Sequence, residues 1–332
     1  MNSISHWTVD KLYGFITRSH LSLFAEKGSL CTFLFHGLFH DKKEVRSGIV
    51  DPQQGITVDN FRQFVDYYKS SNFTFITPEE IAAGLNPEKK YILITFDDGY
   101  YNNLLSLPVL KEYHVPATYF ISANHVVENK SFWWDVVYRE RNREGIEPED
   151  LRKEYALLKN KKHHEIDEYL LNSFGPAALR PVSDIDRPFT RDELKKFADE
   201  PLVNIGNHTL NHAILTNYTH EEIRNEIAGS QQHLVNITGK KPSMIAYPNG
   251  NYSDEIIQIS KNAGLSSGVT VFPAKNYLPR GIEGDKIFAL NRFTLWGNEN
   301  ILRQCEFFRA EIESKRIKRK FNTWNKSLCK LA

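Results

Sequence analysis

Residues 91–100 read Tyr91-Ile92-Leu93-Ile94-Thr95-Phe96-Asp97-Asp98-Gly99-Tyr100, a run of β-branched and aromatic residues that stops at two carboxylates and a glycine. Such a run predicts a buried strand that empties into a polar site. Asp-Gly after a strand is also an ordinary turn signal. Neighbouring side chains on extended backbone point to opposite faces, so Asp97 and Asp98 can serve one site only if Gly99 lets the chain bend sharply. Two acids at one strand end suggest divided labour.

A second signal follows about a hundred residues later. Residues 202–206 (Leu-Val-Asn-Ile-Gly) again read as a short strand, followed by Asn207-His208-Thr209-Leu210-Asn211-His212. On a helical turn, histidines at this spacing face the same way, and one carboxylate completes a three-ligand metal site with positions open to water or substrate. A pair of surface histidines is the alternative reading.

Thr95-Phe96-Asp97-Asp98-Gly99 and His208-Thr209-Leu210-Asn211-His212 together resemble the first two motifs of the polysaccharide deacetylase superfamily, the NodB-homology carbohydrate esterases. The resemblance covers roughly residues 30–295. It implies that Asp97 is the general base, that Asp98, His208 and His212 hold a divalent metal, Zn²⁺ first, and that the substrate is an N-acetylated carbohydrate. The implied fold is an α/β architecture, a distorted (β/α) barrel of seven or eight strands with a helical insertion.

The chain departs from the family pattern in two places. The third motif commonly carries an arginine that orients the catalytic Asp, and the matching stretch here is Ala246-Tyr247-Pro248-Asn249-Gly250. Arg292, near the end of a late strand pattern, is the candidate replacement, with an ordinary surface arginine as the alternative. Asn249 is expected to supply a backbone N–H to the oxyanion. The usual late acid histidine is also missing, since no histidine follows His233. In members resembling poly-N-acetylglucosamine deacetylases this residue stands on an early strand, and Leu34-Phe35-His36-Gly37 is similar to that segment. His36 is therefore the expected general acid, although a hydrogen-bonded histidine at a strand end would leave the same trace.

Strand patterns near 31, 73, 91, 117, 202, 243, 267 and 287–295, separated by helical segments, argue independently for a parallel β/α arrangement. Every candidate residue falls at a strand's C-terminal end, where barrel active sites are built. Residues 128–190 break the alternation and read as a mostly helical insertion over the barrel mouth. Within it, Trp133 and Trp134 offer flat apolar faces either to sugar rings or to the barrel itself, and His163-His164 reads as a solvated face.

The 332 residues, 41% hydrophobic and 12% aromatic, can build one large core. With 42 basic and 41 acidic residues, nothing argues for nucleic-acid binding. The basic residues are unevenly spread: Lys315, Arg316, Lys318, Arg319, Lys320, Lys326 and Lys330 crowd the end of the chain without an acid among them. With Ile317, Phe321, Trp324, Leu328 and Leu331 at spacings of three and four, they describe a basic amphipathic helix, and a peripheral contact with an anionic membrane is expected. Three regions result: an N-terminal helical extension (1–29), the barrel (30–295) and a basic helical tail (296–332). No signal-peptide or membrane-span pattern is read, and the three scattered cysteines fit a reducing compartment, so the expected location is cytoplasmic. Two rival functions remain: a glycan-binding barrel without turnover, and a non-haem iron oxygenase with a two-His, one-carboxylate centre.

Overall fold

The computed structural model describes residues 26–310. The helical segment expected before residue 26 and the amphipathic part of the basic tail, from 311 onward, lie outside the described residues.

Among the described residues nine strands form one curled sheet: β1 Ser29–Phe35, β2 Thr74–Phe75, β3 Lys90–Phe96, β4 Ala117–Ile121, β5 Val203–Asn207, β6 Met244–Ala246, β7 Ser267–Val269, β8 Asn276–Tyr277 and β9 Phe293–Thr294. Their order is β7-β6-β5-β4-β3-β1-β8. All pairings are parallel except that of β8 with β1. β1 occupies one edge of β3 over its whole length, so β2 and β4 share the other, at Tyr91–Ile92 and Thr95–Phe96 respectively.

The late strand expected over 287–295 is not continuous. Gly284–Phe288 is a 3-10 turn, and only Phe293–Thr294 is strand. The intervening backbone finds its partners outside a ladder: the Asn291 N–H donates to the Asn276 side chain and the Arg292 N–H to the Phe272 carbonyl. The segment still closes the barrel. Leu290 bridges Val269 of β7, while Phe293 and Thr294 pair with Phe33 and Leu34 of β1.

The parallel sheet is buried on both faces, which explains why β3 reads as an unbroken apolar run. Tyr91 and Leu93 meet Leu30, Phe120, Met244, Ala246 and Val269 inside the barrel. Ile92, Ile94 and Phe96 belong to the larger outer core beneath the helices, with Phe33, Phe35, Phe61 and Phe64. The helix Val58–Ser70 contributes Phe61, Phe64, Val65 and Tyr68 to that core, the face its spacing predicts. From the far end of the chain, Ile301–Ala310 is a helix that packs on the same core, with Phe308 stacked on Phe293 at 4.6 Å.

Between β4 and β5 the chain builds helices Trp133–Glu144, Pro148–Leu158 and His163–Phe174 around a small core of Val136, Val137, Leu158, Ile166 and Leu170. Their contacts run to the rim of the barrel. Lys159 Nζ reaches Asn249 Oδ1 at 3.0 Å, and the Trp134 ring lies 4.6 Å from that of His212. His163 is not the solvated residue expected. Its backbone N–H donates to the Tyr218 hydroxyl at 2.6 Å and its ring stacks on that phenol, whereas His164 is exposed. Among the described residues no helix is long and apolar enough to cross a membrane.

Candidate active site

Strand alternation accounts for the first carboxylate. Tyr91, Leu93, Thr95 and Asp97 share one parity on β3 and its continuation, so Asp97 faces the interior with the two apolar residues below it. By the same rule Asp98 would face away. The chain turns before it can: the Gly99 N–H bonds the Asp97 carbonyl at 3.0 Å, in a three-residue turn centred on Asp98 at φ +75°. The bend therefore falls on Asp98 itself as well as on Gly99 at φ +90°. Left-handed backbone at a residue with a side chain costs roughly 1–2 kcal/mol. It brings the second carboxylate into the site.

His208 follows β5 directly, and the expected helical turn is absent. Thr209 and His212 both have positive φ, +63° and +52°, and the loop is folded back by side chains instead. One oxygen of the buried Glu226 accepts from the Leu210 and Asn211 N–H groups, and the other from Asn211 Nδ2. Asn207 Oδ1 accepts from the Thr209 N–H. The helical turn expected from the spacing is therefore not what brings the pair together. The two imidazoles still converge, each Nε2 lying 3.3 Å from Asp98 Oδ1.

The donor set fits a metal ion. The candidate ligand atoms of Asp98, His208 and His212 lie within 4.8 Å of one another. Both oxygens of the buried Asp98 lack a hydrogen-bonding partner, an expensive state for a carboxylate that no cation neutralises. His208 Nδ1 donates to the Ala246 carbonyl at 2.8 Å, which fixes the tautomer that leaves Nε2 free to ligate.

Asp97 lies in a different environment. Arg292, fully buried, donates from Nη1 to Oδ1 and from Nη2 to Oδ2, and is itself held by the Thr270 carbonyl and Thr95 Oγ1. The surface-arginine alternative is thereby excluded. Burial alone would raise the Asp97 carboxyl; the Arg292 and His208 charges and the Arg292 hydrogen bonds outweigh it and leave it below its ordinary value. Burial opposes ionisation of Asp98 too, and the charge of His36 with the His208 and His212 imidazoles 3.3 Å away brings it well below the usual carboxylate range. The histidines diverge: burial lowers both, but the two aspartates reverse the sign at His208, while His212 stays below its ordinary value.

His36 continues β1 at the interior parity of Leu30, Thr32 and Leu34, close enough for its charge to act on both carboxylates. Its backbone is clamped from two sides. Gln54 Oε1 accepts the His36 N–H at 3.1 Å, and Asn103 Nδ2 donates to the His36 carbonyl at 2.8 Å. Its Nδ1 is buried without a partner. Asn249 sits at φ +58° in the exposed rim loop after β6, three residues beyond the carbonyl that holds His208. Of the two insertion tryptophans, Trp134 is buried against His212, its Nε1 donating to the Tyr100 hydroxyl, which donates in turn to the buried Asp135. Trp133 is half-buried.

Glu226, Gln54 and Asn103 were not singled out from the sequence. Each acts on a backbone group far along the chain, and no local pattern announces such a contact.

The family profile described as polysaccharide deacetylase matches residues 84–268, which include Asp97, Asp98, His208, His212 and Asn249. Among curated proteins, YxkH of Bacillus subtilis (strain 168) is 23% identical over 237 residues, covering 70% of this chain and 62% of that protein, which is under two-thirds of its length. The poly-beta-1,6-N-acetyl-D-glucosamine N-deacetylase of Staphylococcus aureus (strain MRSA252) is 24% identical over 265 residues, covering 75% of this chain and 73% of that one. Among solved structures, BC0361, a polysaccharide deacetylase from Bacillus cereus, superposes with a TM-score of 0.57 at 20% identity, covering 85% of this chain and 69% of that one, a likeness of fold. With more than half of its length matched by the family profile, the chain belongs to the polysaccharide deacetylase family.

Proposed function

We propose that this chain hydrolyses the N-acetyl group of an amino-sugar glycan, with a divalent metal held by Asp98, His208 and His212. The observation that carries the reading is a three-ligand cluster beside a second carboxylate, Asp97, whose two oxygens are both taken by Arg292. Neither a glycan-binding barrel nor a two-His, one-carboxylate iron centre needs that separately oriented acid. The name of the S. aureus relative makes polymers of N-acetylglucosamine the first substrates to test.

Zn²⁺ suits the donor set, and when bound it would supply a Lewis acid that lowers the pKa of water to about 7. Asp97, kept ionised by Arg292, takes the proton of the attacking water as the new C–O bond forms at the acetyl carbon. Arg292 fixes the plane of that carboxylate. The backbone N–H of Asn249 donates to the carbonyl oxygen as charge develops there. His36 protonates the sugar nitrogen as the C–N bond breaks, and acetate and a free amine leave.

The test is acetate release from N-acetylglucosamine oligosaccharides by the full chain loaded with Zn²⁺, repeated after chelation and on His212→Ala. The reading requires metal-dependent release, with both activity and stoichiometric metal lost in the variant. Full metal content and undiminished turnover in His212→Ala would refute the ligand assignment.

A further inference from the structure

Three neighbouring strands carry one row of side chains at the barrel mouth. β1 and β3 run in register with Phe35 opposite Phe96, and the Asp97 N–H continues the ladder by bonding the Phe35 carbonyl at 2.8 Å, which sets His36 beside Asp97. On the other edge of β1, Phe33 and Leu34 pair with Phe293 and Thr294 of β9. Continued past β9, the same register sets Leu295 beside Phe35 and Trp296 beside His36. Alternation holds that far: Phe293 and Leu295 join Phe33 and Phe35 in the outer core, whereas Arg292 reaches inward to Asp97. Trp296 therefore shares the parity of Arg292 and continues the row formed by Asp97 and His36.

The Trp296 backbone is fixed. Its N–H donates to Gln304 Oε1 and its carbonyl accepts from Gln304 Nε2, each at 2.9 Å. The next N–H, that of Gly297, donates to the Gln54 carbonyl at 2.8 Å, and the Gln54 side chain is the one that holds the His36 N–H and the Leu34 carbonyl. A Cβ on Gly297 would collide with the Gly55 carbonyl, so the two loops meet backbone to backbone. Gln54 thus ties the Trp296 loop to the expected general acid. On this support the indole itself is 46% exposed, whereas Trp134 is buried and Trp133 half-buried. One exposed apolar side chain is ordinary in itself. Its place beside His36, on a backbone held at both ends, is what calls for a ligand with an apolar face.

We propose that Trp296 stacks on the pyranose ring whose nitrogen His36 protonates. The order of the row matches the order of atoms in the substrate. Asp97 acts at the acetyl carbon and His36 at the nitrogen, so the sugar bonded to that nitrogen extends past His36, away from Asp97, toward the strand that leads to Trp296. One face of a pyranose is made of C–H groups, which leave water against the flat indole while the hydroxyls stay solvated at the ring's edge. An acyclic N-acetyl amine reaches His36 as a thread and covers little of the indole, so Trp296 selects a cyclic amino sugar. The roles given to Asp97 and His36 rest on the deacetylase reading above; the exposed indole beside His36 does not.

Acetate release by the full-length Zn²⁺-loaded protein is measured on N-acetylglucosamine oligosaccharides and on vinyl acetate, an activated ester with no ring to stack. Trp296→Ala should lose kcat/KM on the oligosaccharides roughly 10- to 30-fold, mostly through KM, and keep vinyl acetate hydrolysis within about twofold of wild type. Trp296→Phe keeps a flat face and should recover most of the loss. Binding is read apart from turnover by titration with the β-linked glucosamine tetrasaccharide, which has the rings and no acetyl group to lose, and Trp296→Ala should weaken it by a similar factor. Oligosaccharide kcat/KM within about threefold of wild type in Trp296→Ala would overturn the assignment, as would an equal loss on vinyl acetate or no recovery with phenylalanine. A melting temperature several degrees lower for Trp296→Ala would also overturn it, by showing the indole packed against the chain itself. A wild type that releases no acetate but binds the tetrasaccharide through Trp296 would sink the proposed reaction and leave the stacking site standing; one that does neither would overturn both.

Discussion

Arg292 grips Asp97 by both oxygens, at 2.7 Å each, across 195 residues of sequence. The next residue, Asp98, has no hydrogen bond to either oxygen and instead faces two imidazole edges at 3.3 Å. Two carboxylates adjacent in sequence have thus been given opposite surroundings, one saturated by a fixed organic cation and one left open for an ion. This separation of environments allows one acid to act as a base while the other ligates.

Replacing Arg292 tests the first half of that division. Arg292→Ala leaves a buried carboxylate without its partner, and breaking a buried pair from one side costs about 3–5 kcal/mol. Arg292→Lys keeps a charge but loses the planar two-point grip, so stability should recover more than turnover does. Urea denaturation and acetate release on the same preparations check this. An alanine variant matching wild type in both would show that Asp97 needs no orienting cation.

Tyr100 links the insertion to His212. Its hydroxyl accepts from Trp134 Nε1 and donates to Asp135 Oδ2, each at 2.7 Å, and the Trp134 ring lies against His212. Tyr100→Phe strands a buried indole N–H and should cost about 1–3 kcal/mol. Because the loosened ring is the one packed on His212, metal affinity should fall as well. Equilibrium dialysis that finds wild-type metal affinity in a destabilised variant would confine Tyr100 to a structural role.

Strand ends and residue types made much of this site legible. Asp97, Asp98 and His36 were placed by the rule that polar residues at the C-terminal ends of barrel strands converge; the parity of β1 and β3 aims His36 and Asp97 inward, and the turn at Asp98 brings in the third. Arg292 was reachable only because the resemblance demanded an arginine that Ala246 does not provide; its own surroundings in the sequence are unremarkable. The route to the histidine pair failed on backbone detail. Positive φ at Thr209 and His212 and the remote Glu226 clamp replace the helical turn, and neither follows from local spacing. The late strand was overread for a related reason, since Leu290 and Phe293 are apolar because they seal two different strands and not because they share a ladder.

Acid sensitivity should be traceable to His125. Burial brings its imidazole down to about 3, and Nδ1 donates to the Lys130 carbonyl at 3.1 Å. With a folded pKa below the ordinary value of about 6.5, protons bind the unfolded chain in preference. The stability is whole above about pH 6.5 and is lost progressively as pH falls toward 3, by up to about 1.4 kcal/mol per pH unit from this group. His125→Asn keeps a donor for the carbonyl and cannot titrate, so its unfolding free energy should decline less steeply than wild type between pH 6.5 and 5. Parallel slopes in urea titrations over that range would rule the histidine out as the source.

His36 should behave as a proton donor and not as a ligand. A departing amine is a poor leaving group until protonated, no histidine follows His233, and His36 stands clamped at the inner end of β1 with its Nδ1 unpaired. A positioned acid contributes roughly 10² to 10⁴ in rate, so His36→Ala should lose turnover of the N-acetyl sugar on that order while keeping its metal. His36→Gln should fare no better, because an amide can hydrogen-bond but cannot deliver a proton at neutral pH. An aryl acetate ester, whose phenolate leaves unassisted, should be much less affected by either change. The two substrates therefore separate proton delivery from a general disturbance of the site, which would depress both equally. Turnover of the N-acetyl sugar within a few-fold of wild type in both variants would make His36 structural.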